Sequence, residues 1–346
     1  MKRGIILMNL GSPDSTEVKD VRRYLKEFLM DERVIDYPYL FRLLLVKGII
    51  VPFRAAKSAE AYSSIWTNQG SPLVVLTRQL QQSVQTRLAE PVEIAMRYGH
   101  PTPSAAYQAL ETKNPGMEEV ILVPLYPHYA MSSYETAVEY MKEIHKKHNY
   151  SFRLVTIKPF YNNRAYIQAL AESIKPYLQH DFDKLLFSYH GVPERHIIKG
   201  DVTGNHCLKQ ADCCEIASAA HQYCYRHQCI RTTTLVTDSL GLPKKKYQLS
   251  FQSRLGRDKW LTPYTAQRLG ELPKEGVKKI LVACPAFVSD CLETLEEIAQ
   301  QGREIFLHAG GESFTMIPCL NTQTLWVKTI AKWITEYAAG STEMVL

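Results

Sequence analysis

The chain has no block of lysine and arginine, no Cys-x-x-Cys pair and no apolar run long enough to cross a bilayer. Each absence removes a class of function. Without a basic block, the net charge of +6, spread over mixed acids and bases, does not mark a nucleic-acid partner. It is compatible with anionic small molecules or anionic lipid. The nearest approach to a membrane span, Leu43 to Phe53, is broken by Lys47 and Pro52. Met1-Lys2-Arg3 is basic, but the apolar stretch behind it covers only Ile5 to Met8 and runs into Asn9-Leu10-Gly11-Ser12-Pro13. That reads as a first strand and a turn, not an export signal. The expected compartment is therefore the cytoplasm, where thiols stay reduced. Eight cysteines in such a place call for a reason other than disulfides. Low-complexity segments and internal sequence repeats are also missing.

What is present is an ordinary globular balance. At 45% hydrophobic and 22% charged over 346 residues, the chain can bury more than one core. Short apolar runs at 4–10, 92–96, 119–125, 152–157, 184–189, 246–251, 278–284 and 303–307 have strand character. Helical periodicity fills most gaps: 17–30, 55–65, 75–89, 103–113, 133–148, 163–179, 291–301 and 322–338. The segment 231–240 has strand-like residues, but the stop Gly241-Leu242-Pro243 after it favours a helix. Alternation of this kind predicts parallel sheets with helices on both faces. The strands fall four and four. The expectation is an α/β protein of two Rossmann-like lobes, each a four-stranded parallel sheet, over 1–160 and 161–315, with 316–346 as a final helix packing back.

Three expected strand ends carry polar or aromatic residues beside proline: Pro124 to Tyr129, Ser188 to Pro193, and Cys284 to Phe287. In open parallel sheets ligands bind at that edge, so a cleft between the lobes would be lined by them. In the second of these, Leu185-Leu186-Phe187 delivers His190 to the break Gly191-Val192-Pro193. The plain alternative is a satisfied core histidine. Downstream, Asp290, Glu293 and Glu297 are spaced three and four apart and would share one helix face. The plain alternative is a solvated acidic face near a helix N-terminus. An imidazole facing carboxylates suits a divalent ion such as ferrous iron, or acid–base work.

Five of the eight cysteines, Cys207, Cys213, Cys214, Cys224 and Cys229, fall within 23 residues, interleaved with His206, His221 and His227. The spacing is a poor zinc-ribbon match. A thiolate-rich site in a reducing compartment can also hold an iron–sulfur cluster. Cluster, zinc and unligated thiols all stay open on the residues alone. Cys284, Cys291 and Cys319 stand apart and read as small buried residues.

Taken together, Met8 to Pro13, Gly70-Ser71-Pro72-Leu73, Ser188 to Pro193, Leu249 to Gly256 with Trp260 and Pro263-Tyr264-Thr265, and Phe287 to Glu297 resemble the ferrochelatases, in order and over nearly the whole chain. The resemblance implies two Rossmann-like lobes with a porphyrin between them. It implies insertion of ferrous iron into protoporphyrin IX, the last step of haem synthesis. His190 and Glu293 match the family's histidine and acid, as catalytic groups and contacts of the substrate iron. Glu297 and Asp290 would relay protons or metal. Tyr126, Tyr129, Tyr189, Phe287 and Trp66 are candidates for the apolar pocket, and Arg97 for a propionate. The segment from Tyr37 to Ala56, apolar with Arg42, Lys47 and Arg54 interspersed, corresponds to the lip of the pocket and suits a peripheral membrane contact. The chain departs from the family pattern at Lys199 to His206, where a Gly-Asp-Pro-Tyr-like stretch gives way to the cysteine-rich insert at about 204–230. Some ferrochelatases carry a [2Fe–2S] cluster on an internal cysteine group. The ligand set expected here is Cys207, Cys214, Cys224 and Cys229, with Cys213 an alternative to Cys214.

Three rival readings differ in what they predict. A chelatase for coproporphyrin or for cobalt would share every motif. A non-catalytic haem- or iron-sensing protein would bind haem without making it. An iron–sulfur electron carrier would leave the strand-end residues without a task. Homodimerisation is left open.

Overall fold

The computed structural model of the chain describes residues 1–254, 256 and 258–346. Leu255, part of one family-like stretch, and Arg257 lie outside the described residues. Among those described there are eight strands: β1 (Arg3–Ser12), β2 (Val92–Gly99), β3 (Glu119–Pro124), β4 (Arg153–Thr156), β5 (Lys184–His190), β6 (Tyr247–Gln252), β7 (Lys279–Ala283) and β8 (Ser313–Met316). They form two four-stranded sheets, in the orders β2-β1-β3-β4 and β6-β5-β7-β8. Every pairing is parallel. Both sheets are flanked by helices, as the alternation of runs predicts. Strands buried on both faces read as continuous apolar runs instead of alternating ones. That is why Ile5-Ile6-Leu7-Met8 and Val120-Ile121-Leu122-Val123, all fully buried, stood out in the sequence.

One expected strand is a helix. The run Ile305-Phe306-Leu307 lies in the helix Arg303–His308, and the edge strand is β8, ten residues further on. So short an apolar run carries no period that separates helix from strand. The packing decides it. A π-helical turn, Glu297–Gly302, feeds directly into the helix, and Phe306 buries its ring 6.0 Å from that of Phe314 in β8. The segment 231–240 is helical, as expected, within the helix Tyr225–Leu240.

The chain divides into two compact units. One comprises Met1–Tyr126, Met131–Pro159 and Val327–Leu346, the other Pro127–Ala130 and Phe160–Trp326. In the first unit the segment expected as a pocket lip folds as a helix (Tyr39–Leu43), a π-helical stretch (Leu44–Ile50) and a longer helix (Val51–Ile65). Val46 and Val51 pack beside Leu29 and Ile35. Leu40, Leu44, Ile49 and Phe53 stay exposed. Among the described residues no helix is long and apolar enough to cross a membrane.

Candidate active site

His190 is the last residue of β5. Side chains alternate faces along a strand, so Ser188 and His190 share one face and Tyr189 takes the other. Tyr189 is fully buried, with its hydroxyl 2.8 Å from Thr233 Oγ1. This corrects the expectation that it lines a pocket: the alternation that presents His190 sends its neighbour into the core. The strand stops because only glycine fits next. A Cβ on Gly191 would come within 2.8 Å of the Gln252 carbonyl and 3.2 Å of the Trp260 ring. Instead the Gly191 N–H donates to that carbonyl at 2.8 Å. His190 Nδ1 lies 2.6 Å from the Gly191 carbonyl. A carbonyl only accepts, so Nδ1 carries the hydrogen of the neutral ring and Nε2 is left as the basic nitrogen. The Phe287 ring stands edge-on to the imidazole at 6.3 Å.

The acidic run is not one regular helix. An α-helical turn, Leu292–Leu295, is capped by Cys291 and gives way to the π-helical turn that begins at Glu297. Such widened turns concentrate at functional sites. Asp290 precedes the cap. It accepts from Thr294 Oγ1 at 3.0 Å, from the Cys319 N–H at 3.3 Å and from Asn321 Nδ2 at 2.7 Å. The shared acidic face therefore does not include Asp290, which is buried at the start of the element.

Glu297 is anchored by the end of β6. It accepts from the Ser253 N–H at 2.7 Å, from the Ser253 hydroxyl, and from Gln252 Nε2 at 3.4 Å. Ser253 has φ of +66°, the left-handed region that costs an L-residue energy. That conformation turns its N–H and its hydroxyl onto the same carboxylate. Burial pushes the Glu297 carboxyl above its ordinary value. The Ser253 bonds oppose the shift, as does His190 when it is protonated, and the negative charge of Glu293 adds to it. His190, Glu293 and Glu297 are thus electrostatic neighbours at one strand edge.

Gln252 and Ser253 received no role from sequence reasoning. Gln252 is paired with His190 in register. Its Oε1 accepts from Ser188 Oγ at 2.7 Å and its Nε2 donates to the Glu293 carbonyl at 2.7 Å. It ties the strand that carries the imidazole to the element that carries the acids. The available signal was that two family-like stretches end on adjacent parallel strands.

Arg97 is held within the first unit, paired with Asp31, donating from Nε to Thr136 Oγ1 at 2.7 Å, with its guanidinium 4.3 Å from the ring centres of Tyr98 and Tyr140. Tyr126 follows β3, and its buried hydroxyl has no hydrogen-bond partner among the described residues. Trp66 ends the helix Val51–Ile65, edge-on to Tyr62 at 6.2 Å. The Tyr129 N–H donates to Gln228 Oε1 at 2.7 Å, with its ring 5.0 Å from that of Tyr223.

In the insert, Cys207 and Cys214 are both neighbours of Cys224, and Cys213 is a neighbour of Cys214. Arg226 Nη1 reaches Cys213 Sγ at 3.6 Å and Cys214 Sγ at 3.4 Å. His206 and His221 both meet the Cys213 carbonyl, at 2.6 and 2.9 Å, and His227 meets that of Cys214 at 2.7 Å. Cys229, one turn into the helix Tyr225–Leu240, lies against the Tyr225 hydroxyl and has Cys214 as its neighbour among the four. Among the described residues no group of three or more His, Cys, Asp or Glu side chains is arranged to hold a metal ion. The donor set nevertheless has the chemistry of a soft-metal site, four buried thiols beside a guanidinium.

The architecture and this edge define a chelatase-like protein of two parallel α/β sheets. SirB from Bacillus subtilis with Fe3+ superposes with a TM-score of 0.55 at 13% identity, covering 99% of each chain. The sirohydrochlorin chelatase SirB from Bacillus subtilis subspecies spizizenii in complex with cobalt gives 0.54 at 11% identity, covering 100% of this chain and 99% of that one. The likeness to both is one of fold. The ferrochelatase family model matches residues 2–338. Ferrochelatase from Pseudomonas fluorescens (strain Pf0-1) is 52% identical over 329 residues, 94% of this chain and 96% of that protein. Ferrochelatase from Opitutus terrae is 48% identical over 342 residues, 98% of this chain and 99% of that protein. The chain belongs to the ferrochelatase family.

Proposed function

We propose that the chain inserts ferrous iron into protoporphyrin IX, releasing two pyrrole protons and forming haem. The observation that carries the mechanism is the edge itself. One imidazole, its Nδ1 held by the Gly191 carbonyl, stands beside two carboxylates, one of which is pushed towards its protonated form. Porphyrin metallation requires a base for the N–H protons and oxygen or nitrogen ligands that release iron readily. His190 Nε2 takes a pyrrole proton, as an imidazole does well near neutral pH. Glu293 contacts the incoming metal. Glu297, clamped by Ser253, accepts the proton that His190 passes on. Burial favours its protonated form, which suits it to hold that proton. Phe287 supplies apolar surface beside the imidazole. Asp290 holds the start of the acidic element and takes no proton in this scheme.

The insert is proposed to hold a [2Fe–2S] cluster on Cys207, Cys213, Cys214 and Cys224, the four thiols that lie together. Cys229, favoured by spacing alone, is replaced by Cys213 in this set. A cluster would supply thiolate-bound iron and one-electron chemistry, neither of which metallation consumes. The exposed Leu40, Leu44, Ile49 and Phe53, with Lys47 and Arg54 near them, support contact with an anionic membrane surface through which the poorly soluble porphyrin passes.

An anaerobic assay with Fe(II) and protoporphyrin IX tests the reading. His190→Ala and Glu293→Gln are expected to lower the rate by about 10²- to 10⁴-fold, the usual range for general acid–base groups. Haem binding without metallation by the unaltered protein would overturn it in favour of a sensor. Preference for coproporphyrin or cobalt would change the substrate and keep the mechanism.

A further inference from the structure

We propose that Tyr225 is a positioning residue for His190 and makes the metallation rate depend on the order of the cysteine site. The inference rests on the reading of His190 as the base. Its grounds are the path of the chain. Tyr225 is buried, and its hydroxyl donates to the His190 carbonyl at 2.9 Å. The residue before it is Cys224, buried beside Cys207 and Cys214. One residue therefore reads the thiols, and the next reads the strand end that presents the imidazole.

The link is stiff on both sides. Cys224 is the cap of the helix Tyr225–Leu240, extended at φ −87° and ψ 99°, with no side-chain cap bond of its own. Its place is set by its thiol partners and by the helix it starts. Within the first turn, Gln228 Nε2 donates to the Gln222 carbonyl at 2.9 Å, and Gln228 Oε1 accepts the Tyr129 N–H at 2.7 Å. The Tyr225 ring stands edge-on to His128 at 5.8 Å, and His128 in turn packs against Tyr189 at 5.4 Å. On the other side, His190 is fixed by β6 through the Gly191 N–H and by its own Nδ1 contact with Gly191. Movement of Cys224 therefore reaches the imidazole by way of the Tyr225 hydroxyl. Anything that orders or disorders the four thiols, such as ligated iron or an oxidant of thiols, changes how the base is aimed without changing the porphyrin-binding surface.

The test is a double-mutant cycle of Tyr225→Phe with Cys207→Ser in the purified full chain. kcat and KM for porphyrin are measured anaerobically, and the fold is checked by thermal unfolding. Cys207 is chosen because it contacts Cys224 without belonging to the helix. Each single change is expected to lower kcat about three- to tenfold with KM unchanged. The double variant is expected to be no slower than the slower single, because both cut the same link. Losses that multiply would overturn the proposal. So would a loss confined to KM. Should Tyr225→Phe fail to fold, Cys207→Ser alone still decides: a fall in kcat at constant KM supports the link, and an unchanged kcat overturns it. His190→Ala run alongside separates the two levels. If that variant keeps full activity, the reading of the base has failed. If it is inactive while the losses multiply, the tether alone has failed.

Discussion

Asp31 in the first unit and Glu297 in the second face the same problem, a carboxylate removed from water. They solve it in opposite ways. Burial raises the pKa of Asp31. The Thr136 hydroxyl, the Arg33 N–H, the positive charge of Arg97 and the Tyr98 hydroxyl outweigh it, so the group ends below its ordinary value. Among the described residues Glu297 has donors from Ser253 and Gln252 and an imidazole in place of a guanidinium, and burial wins. Asp31 is thus a locked charge. Glu297 is a group that can still exchange a proton. The difference lies in the partner: Arg keeps its charge at any working pH, whereas His does not. A buried carboxylate marks proton chemistry when its neighbours leave its charge incompletely compensated.

The comparison is broken most directly at Asp31. Asp31→Asn keeps the shape and leaves the Arg97 guanidinium buried without its counter-charge. Removing one partner of a buried pair costs about 3–5 kcal/mol, so denaturant unfolding should show a loss of that size. A loss below about 1 kcal/mol would mean that Arg97 is compensated by Thr136 and the flanking rings alone. The same isosteric change at Glu297 should spare stability and strike the reaction. Glu297→Gln is expected to slow iron insertion about ten- to a hundredfold, at the low end of what a proton-transfer group contributes. Haem formation at an unaltered rate would reduce Glu297 to a clamp for Ser253.

How far the sequence could show this follows from the kind of signal involved. Both sheets were legible because strands buried on two faces are uninterrupted apolar runs, and each run ends at a glycine, a proline or a polar pair. β8 was not legible: Ser313-Phe314-Thr315-Met316 is a half-exposed edge strand without a run, while the nearby Ile305-Phe306-Leu307 has the run and is helical. His190 and the Glu293–Glu297 pair were visible as residue types at strand and helix ends. Gln252 and Ser253 were not, because their part depends on register with His190 and on a left-handed φ, neither of which residue type reports. Asp290 misled for the same reason. Spacing by three and four implies a common face only inside a helix, and Asp290 lies before the cap. The Arg97–Asp31 pair joins residues 66 apart in the chain, which no local pattern announces.

The finest version of the comparison is the pH dependence of stability, where the two acids have opposite signs. For Asp31 the folded pKa lies below the unfolded value of about 3.9. Its contribution is complete above that pH and is lost as pH falls through the folded pKa. The deficit of Asp31→Asn relative to the unaltered chain should therefore be full at neutral pH and shrink below about pH 4. For Glu297 the folded pKa lies above the unfolded value of about 4.3. The protonated acid's contribution is complete below that pH and is lost as pH rises through the folded pKa. Glu297→Gln should accordingly match the unaltered chain in acid and become the more stable of the two towards neutrality. The gain should grow as pH rises through the folded pKa and then level off. Unfolding curves from pH 3.5 to 7.5 for the three proteins measure both differences together. If the two difference curves bend the same way, Glu297 is as fully compensated as Asp31, and it cannot be the group that takes a proton from His190.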